Sequence, residues 1–400
     1  MTSRPMRIRF LGLLISSLAA ALPAASAEIL ARGTGLARDL GGITLTLAVS
    51  EAIPFRVLTL DNPRRLLIDL GDTGLAALDA GLAADLPEVS ALRYGLFQLG
   101  KARIVLDLAV PMLVQSAVAT KGEGGNPAIV VRLAKVSAAT FSAQSALPQD
   151  AVWQANDRAP RIEGESGSPL IAVDAGHGGL DNGAVSGDIM EKDIALQIAE
   201  TLRDTLLQEN RFRVVLTRDA DVFIPLGERV EIARQAGAVA FISLHADAVT
   251  RGKARGPTVF SLSEAGEDQE AVTIATLENR SDLVAGISVE GEDDLLTRVL
   301  LQMAHRETNA LSRRFADVVA ETLWFQNGES IKTRRMAAGF RVLRAPDIPS
   351  VLIELGFMSD TDDLQNLQDP EWQVATSESL RDALGIWLET EADMRGLLRN

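Results

Sequence analysis

The strongest constraint on this chain is a change of hydrophobic period between its two halves. Up to about residue 135 the period is two: Ile43, Leu45, Leu47 and Val49 interleave with Thr44, Thr46, Ala48 and Ser50. That alternation gives a strand two unlike faces. Arg65-Leu66-Leu67-Ile68-Asp69-Leu70 reads as a second strand, and Arg103-Ile104-Val105-Leu106-Asp107-Leu108 repeats its form. Residues 129–133 add another, with turns at Asp61-Asn62-Pro63 and at 122–127. The pattern predicts a small all-β sandwich over residues 28–136.

From residue 169 strands alternate with helices, which predicts an α/β domain extending to residue 400, a mixed sheet flanked by helices. Short apolar strands fall at 170–173, 213–216, 239–244 and 350–353, and helices at 193–208, 226–235 and 372–388. In the first helix Ile194, Ile198, Leu202 and Leu206 form one stripe. Residues 137–168 are rich in Ala, Ser, Gln, Pro and Gly without an apolar period, and predict a flexible linker. A length of 400 residues suits two domains, and 47% hydrophobic with only 4% aromatic residues implies aliphatic cores.

Composition removes several function classes. A net charge of −15 argues against nucleic-acid binding. The chain has no Cys, which excludes disulfides, thiolate metal sites and a cysteine nucleophile. Arg4, Arg7 and Arg9 precede an apolar stretch from Phe10 to Ala21 and a small-residue Ala25-Ser26-Ala27, the form of a cleaved signal peptide over residues 1–27. No later stretch reaches the ~20 apolar residues of a membrane helix. The expectation is an exported protein without a transmembrane segment.

Three predicted strands end in metal-ligand chemistry. They are 171–173 leading into Asp174-Ala175-Gly176-His177-Gly178-Gly179, 241–244 into His245, and 351–353 into Glu354. Glu191 stands where the first helix begins. Ligands of open α/β sheets gather beyond the carboxyl ends of the strands, so two of the chain's three His on that rim, with Glu beside them, point to a metal. Two imidazoles and one carboxylate suit zinc and leave a fourth position for water, whose proton a second carboxylate can take. Spacing alone does not say which Glu is ligand and which is base. The third histidine, His305, lies on no strand end and reads as structural or exposed.

At these residues the chain resembles the zinc-dependent N-acetylmuramoyl-L-alanine amidases. The resemblance runs through 173–184, Glu191, Thr217-Arg218-Asp219, Glu228-Arg229, 240–246 and 349–359. It implies that His177, Glu191 and His245 bind Zn2+ and that Glu354 is the catalytic carboxylate. The implied reaction is hydrolysis of the amide between N-acetylmuramic acid and L-alanine in peptidoglycan, in the periplasm, for wall remodelling and cell separation. Asp247 departs from the family's usual Asn. In the first domain, 60–70 and the second Arg…Asp-Leu strand resemble the AMIN domain, which implies a peptidoglycan-targeting module. The metal chemistry by itself equally allows a zinc carboxypeptidase on the stem peptide, and a non-catalytic wall-binding regulator is the other alternative.

An acidic interruption separates the strand near Phe260 from a helix around Leu311, spanning about 263–310. Residues 263–294 carry ten acidic side chains against one basic, Arg280. A charge run of this kind ordinarily forms a solvated loop, yet Val272, Ile274, Ala275 and Leu277 give it an apolar side. Residues 276–283 resemble a helix that covers the zinc site in division-associated amidases and is displaced by a LytM-type activator. That resemblance implies that Glu278 takes the open zinc position at rest.

Overall fold

The computed structural model describes residues 27–39, 41–98, 100–145, 161–248, 254–263, 268–285, 295–326 and 333–397. The first domain consists of β1 (Ala27–Asp39), β2 (Gly42–Val49), β3 (Phe55–Leu60), β4 (Arg65–Leu70), β5 (Thr73–Gly74), β6 (Val89–Gln98), β7 (Lys101–Leu108), β8 (Met112–Lys121) and β9 (Pro127–Lys135). These make a five-stranded sheet, β5-β1-β2-β9-β8, and a four-stranded sheet, β3-β4-β7-β6. Ile43, Leu45 and Leu47 meet Leu66, Ile68, Leu70, Ile104 and Leu106 in one aliphatic core. Each such side chain removed from water contributes about 1.5–3 kcal/mol relative to exposure.

The two repeated strands pair antiparallel, so Arg65 lies opposite Asp107 and Asp69 opposite Arg103. Their three consecutive apolar residues are buried on both faces. Leu66, Ile68, Ile104 and Leu106 point into the sandwich. Leu67 and Val105 point outward and pack with Leu180, Phe223 and Ala285 of the second domain.

The linker expectation is corrected at both ends. Ala138–Gln144 form helix α1, capped by the Ser137 hydroxyl on Thr140 N (3.1 Å). Its Phe141 is fully buried in the first core, so one aromatic side chain outweighs the polar composition around it. At the other end Ile162–Glu163, β10, pairs with a strand of the second domain. Residues 146–160 lie outside the described residues, as does the expected leader apart from Ala27, where β1 begins.

The second domain continues with β11 (Leu170–Ala175), β12 (Val185–Ser186), β13 (Ile189–Met190), α2 (Glu191–Leu207), β14 (Arg213–Leu216), α3 (Leu226–Ala236), β15 (Ala240–His245) and β16 (Thr258–Leu262). Then follow α4 (Gln269–Glu278), α5 (Ser281–Val284), α6 (Leu295–Gln326), β17 (Arg334–Ala338), β18 (Ser350–Glu354), α7 (Thr361–Gln368) and α8 (Pro370–Leu397). The seven-stranded sheet has the order β10-β14-β11-β15-β18-β16-β17. Its central four strands are parallel, and β16 runs antiparallel to β18, which makes the sheet mixed.

Helices cover both faces. The predicted stripe of α2 (Ile194, Ile198, Leu202, Leu206) is buried on one face with Phe315 and Val319 of α6 and Leu384 and Trp387 of α8. Leu226 and Ala233 of α3 and Ala271, Ile274 and Ala275 of α4 cover the other. Part of the acidic interruption is therefore helical and docked. Its buried positions are 271, 274, 275 and 278, one helical face, whereas Val272 and Leu277 of the predicted apolar side are exposed. His305 falls on α6, with its side chain outside the described residues. Among the described residues no helix is long and apolar enough to cross a membrane.

Candidate metal centre

Parallel strands that end on one rim bring the predicted residues together. The register of β15 with β18 sets His245 directly beside Glu354. The loop after β11 carries His177, and Glu191 opens α2, where its charge also suits the helix N-terminus. His177 has φ 59°, a left-handed conformation that is uncommon for a side-chain-bearing residue. Two buried arginines hold that loop. Arg229 donates to His177 O (2.7 Å) and Ala175 O (2.6 Å), and Arg218 to Gly176 O (2.8 Å) and Ala175 O (2.9 Å). Asp174 balances Arg229 at 2.9 Å and accepts from Thr217 and Ser243 (both 2.6 Å), so this buried ion pair is fully hydrogen-bonded.

Within this frame His177 Nδ1 is bonded to Asp181 Oδ2 at 2.8 Å, which turns Nε2 toward Glu191 Oε1, 3.0 Å away. His245 Nδ1 lies 3.1 Å from the same Glu191 oxygen. Glu191 is held by backbone donors, Ala246 N on Oε1 (3.0 Å) and Ala184 N on Oε2 (2.8 Å). The two imidazoles meet edge to face, with centroids 4.9 Å apart. Gly176 is required by close approach: a Cβ there would sit 2.5–2.8 Å from three atoms of the His245 ring.

The ligand atoms of His177, Glu191 and His245 all lie within 4.8 Å of one another, and so do those of His245, Glu278 and Glu354. Glu278 of α4 reaches over the group, its Oε2 lying 3.1 Å from His245 Nδ1 and 3.4 Å from His177 Nε2. Glu354 accepts Asp247 N on Oε2 (2.8 Å), while its Oε1 is buried without a hydrogen-bond partner. His177 Nε2 is likewise buried without a well-aligned partner. Buried polar atoms are ordinarily satisfied, and two orphans in neighbouring groups that share His245 fit a site made for a cation and a water.

Electrostatics agree. Burial opposes charge on both imidazoles, but the surrounding carboxylates outweigh it. Glu191, Asp181 and Glu278 hold His177 well above its ordinary pKa, and Glu278 and Glu191 push His245 up to about 10. Burial, with Asp247, Glu191 and Glu278 adding to it, keeps Glu354 well above the carboxylate range. Burial and the neighbouring Glu278 and Glu191 raise Asp247 to about 7. Five carboxyl groups (Asp181, Glu191, Asp247, Glu278 and Glu354) surround two imidazoles, and their mutual repulsion shows in the raised pKa values of Asp247 and Glu354. A divalent cation on the His177–Glu191–His245 set would relieve that repulsion.

Sequence reasoning included Asp174, Asp181 and Arg229 in its motifs but gave them no role: Asp181 is the partner of His177, and Asp174 and Arg229 pair beneath the loop. Their sequence signals are membership of the resembling stretches 173–184 and Glu228-Arg229 and a position close to His177 or at a strand end. Ser281 was also given no role; its hydroxyl donates to Asp181 across 100 residues, and nothing local marks it.

Comparison with known proteins identifies the family. The family described as N-acetylmuramoyl-L-alanine amidase matches residues 171–385, and the AMIN domain matches residues 36–133. N-acetylmuramoyl-L-alanine amidase AmiC of Escherichia coli O6:H1 is 31% identical over 354 residues, 84% of this chain and 84% of that protein. AmiC of Neisseria meningitidis serogroup B is 31% identical over 370 residues, 88% of each. Among solved structures, amidase AmiC2 of Nostoc punctiforme is 30% identical and covers 56% of this chain and 99% of its own, with a TM-score of 0.41. The match spans both domains, and the chain belongs to the N-acetylmuramoyl-L-alanine amidase family, with an AMIN domain ahead of its catalytic domain.

Proposed function

We propose that this chain hydrolyses the amide between the lactyl group of N-acetylmuramic acid and L-alanine of the peptidoglycan stem peptide, with zinc held by His177, Glu191 and His245. The observation that carries the proposal is the convergence of His177 Nε2, His245 Nδ1 and a Glu191 oxygen beside the unpartnered Glu354 Oε1. When bound, zinc supplies Lewis acidity that polarises the scissile carbonyl and acidifies a water. Glu354 does the proton work: Oε1 accepts the water proton and then delivers it to the departing alanine amine. Asp247 N anchors the other oxygen and leaves Oε1 free of hydrogen bonds.

In the resting protein Glu278 fills the place a substrate carbonyl or water needs, which supports an inhibitory role for α4. Release by a LytM-type activator completes that reading. The leader over residues 1–27 delivers the protein to the periplasm, where its substrate lies. The division into a leader, an AMIN domain over 28–136, a connection over 137–168 and a catalytic domain over 169–400, with its acidic regulatory insertion near 263–310, belongs to the same proposal.

The test is incubation of the full chain carrying Glu278→Ala with purified sacculi, with and without a chelator, followed by mass spectrometry. Soluble stem peptides that begin at L-alanine, lost on chelation and restored by zinc, are expected. Release of a terminal D-amino acid instead would overturn the bond assignment in favour of a carboxypeptidase. Chelator-resistant release would overturn the metal.

A further inference from the structure

The repeated Arg…Asp-Leu strands of the first domain have no part in the chemistry above, yet their outward residues are buried. Arg65 is 0% and Arg103 4% exposed. Both reach across to the second domain and end on the same short stretch. Arg65 Nη1 donates to Leu283 O (2.7 Å) and Arg103 Nη1 to Ala285 O (2.8 Å). These carbonyls lie at the C-terminal end of α5, where guanidinium donors are favoured by both hydrogen bonding and the helix dipole. Asp69 fixes Arg103 in a bidentate pair (2.5 and 3.1 Å), so the second guanidinium is pre-aimed.

Around the two arginines the domains are in close contact. Phe97 stacks on Phe223 with centroids 6.2 Å apart, and Phe223 N donates to Leu96 O (3.0 Å). Leu60, Leu67 and Val105 of the sheet enclose Ala285, which is 0% exposed. Gly95 of β6 lies so close that a Cβ would be 2.6–2.9 Å from backbone atoms of Gly179 and Leu180.

The stretch held in this way is the continuation of the inhibitory helix. Four residues separate Leu283 from Glu278, and helical backbone bonds make the connection stiff: Asn279 N to Ala275 O, Val284 N to Arg280 O, Ala285 N to Ser281 O. The catalytic domain grips the same piece from its own side. Asn279 Nδ2 donates to Gly339 O (2.9 Å), and Asp282 Oδ1 accepts Leu226 N (2.9 Å).

We propose that the outer face of the β3-β4-β7-β6 sheet is an internal docking surface for residues 281–285, and that through Arg65 and Arg103 the first domain latches α4 and Glu278 over the metal centre. The first domain is then part of the inhibition as well as a wall-targeting module. This inference rests on the inhibitory reading of Glu278.

The test uses the full chain in three forms: Glu278→Ala, Arg65→Met and Gly95→Trp. Arg65→Met keeps most of the side-chain volume and removes the donor to Leu283. Gly95→Trp wedges the domains apart from an edge strand. Each is measured for hydrogen exchange over 269–285 and for unactivated release of stem peptides from sacculi. Charge-assisted hydrogen bonds are strong enough that losing one is expected to raise both quantities about tenfold in Arg65→Met, and at least as much in Gly95→Trp. If Glu278→Ala is active but the other two keep the parent rate, or the parent exchange, the latch is overturned while the role of Glu278 stands. If Glu278→Ala does not exceed the parent, the inhibitory reading fails and the latch with it. Should Gly95→Trp not fold, Arg65→Met alone decides by the same two readouts.

Discussion

The Ser281 hydroxyl donates to Asp181 Oδ2, the oxygen that also holds His177 Nδ1 at 2.8 Å. The acidic segment therefore touches the metal centre twice, with Glu278 in front of the imidazoles and Ser281 behind one of them. Carboxylates behind metal-binding histidines fix the tautomer and raise ligand basicity. Their loss is felt mainly in metal affinity.

Asp181→Asn is accordingly expected to weaken zinc binding by about 10–100-fold, read by competition with a chromogenic chelator. The substitution keeps the side-chain shape and the bond to Gly183 N (3.2 Å), so the loop stays folded. Unchanged affinity would reduce Asp181 to a loop tie.

Glu354→Gln is expected to slow stem-peptide release by about 10²–10⁴, the usual share of a positioned general base. Zinc content should stay at the parent level, because the His177–Glu191–His245 set is complete without it. Parallel loss of zinc and activity would make Glu354 a ligand instead.

Gly176→Ala tests the fit around His245. The new methyl would lie 2.5 Å from the ring, which must turn or move. Zinc content is expected to fall while the melting temperature shifts by no more than about 4 °C. A variant with parent zinc content would show that the ring has room to yield.

The first domain carries a pH-dependent brace. Arg38 (2.9 Å) and Lys135 (3.0 Å) both bond Glu88, and they lower its carboxyl from 4.5 to about 2. A carboxyl depressed on folding stabilises above its unfolded pKa and loses that contribution as pH falls through its folded one. The melting temperature of Glu88→Gln should thus lie below the parent at pH 7, and the gap should close between about pH 4.5 and pH 2. A gap that persists at pH 2 would show that packing, not charge, is what the substitution removes.

How much of this was legible beforehand follows from the range of the interactions. An apolar run that ends in His or Glu is a local pattern, and parallel strands of one sheet deliver their ends to one rim, so His177, His245 and Glu354 could be named from their neighbours alone. The stripe of α2 was legible for the same reason, since helical period is written within a few residues. Phe141 shows the limit: a Ser/Ala-rich stretch reads as linker until one ring finds a core. Glu278 was placed by likeness to a covering helix, and only packing brings its carboxylate within 3.4 Å of both imidazoles.

The two Arg…Asp-Leu strands divide the same way. Each run was legible as a strand of a sandwich whose strands are half-buried, and burial of its outer face appears only in the structure. What covers the outer face, with Arg65 on Leu283 and Arg103 on Ala285, depends on partners 218 and 182 residues away. The sequence by itself determined the two architectures and the strand ends that meet at the candidate metal centre, because those are set by local periodicity. The tertiary structure alone decided what lies behind His177, what stands in front of it and what the Leu283 and Ala285 carbonyls meet, because each is a contact between segments whose spacing along the chain carries no period.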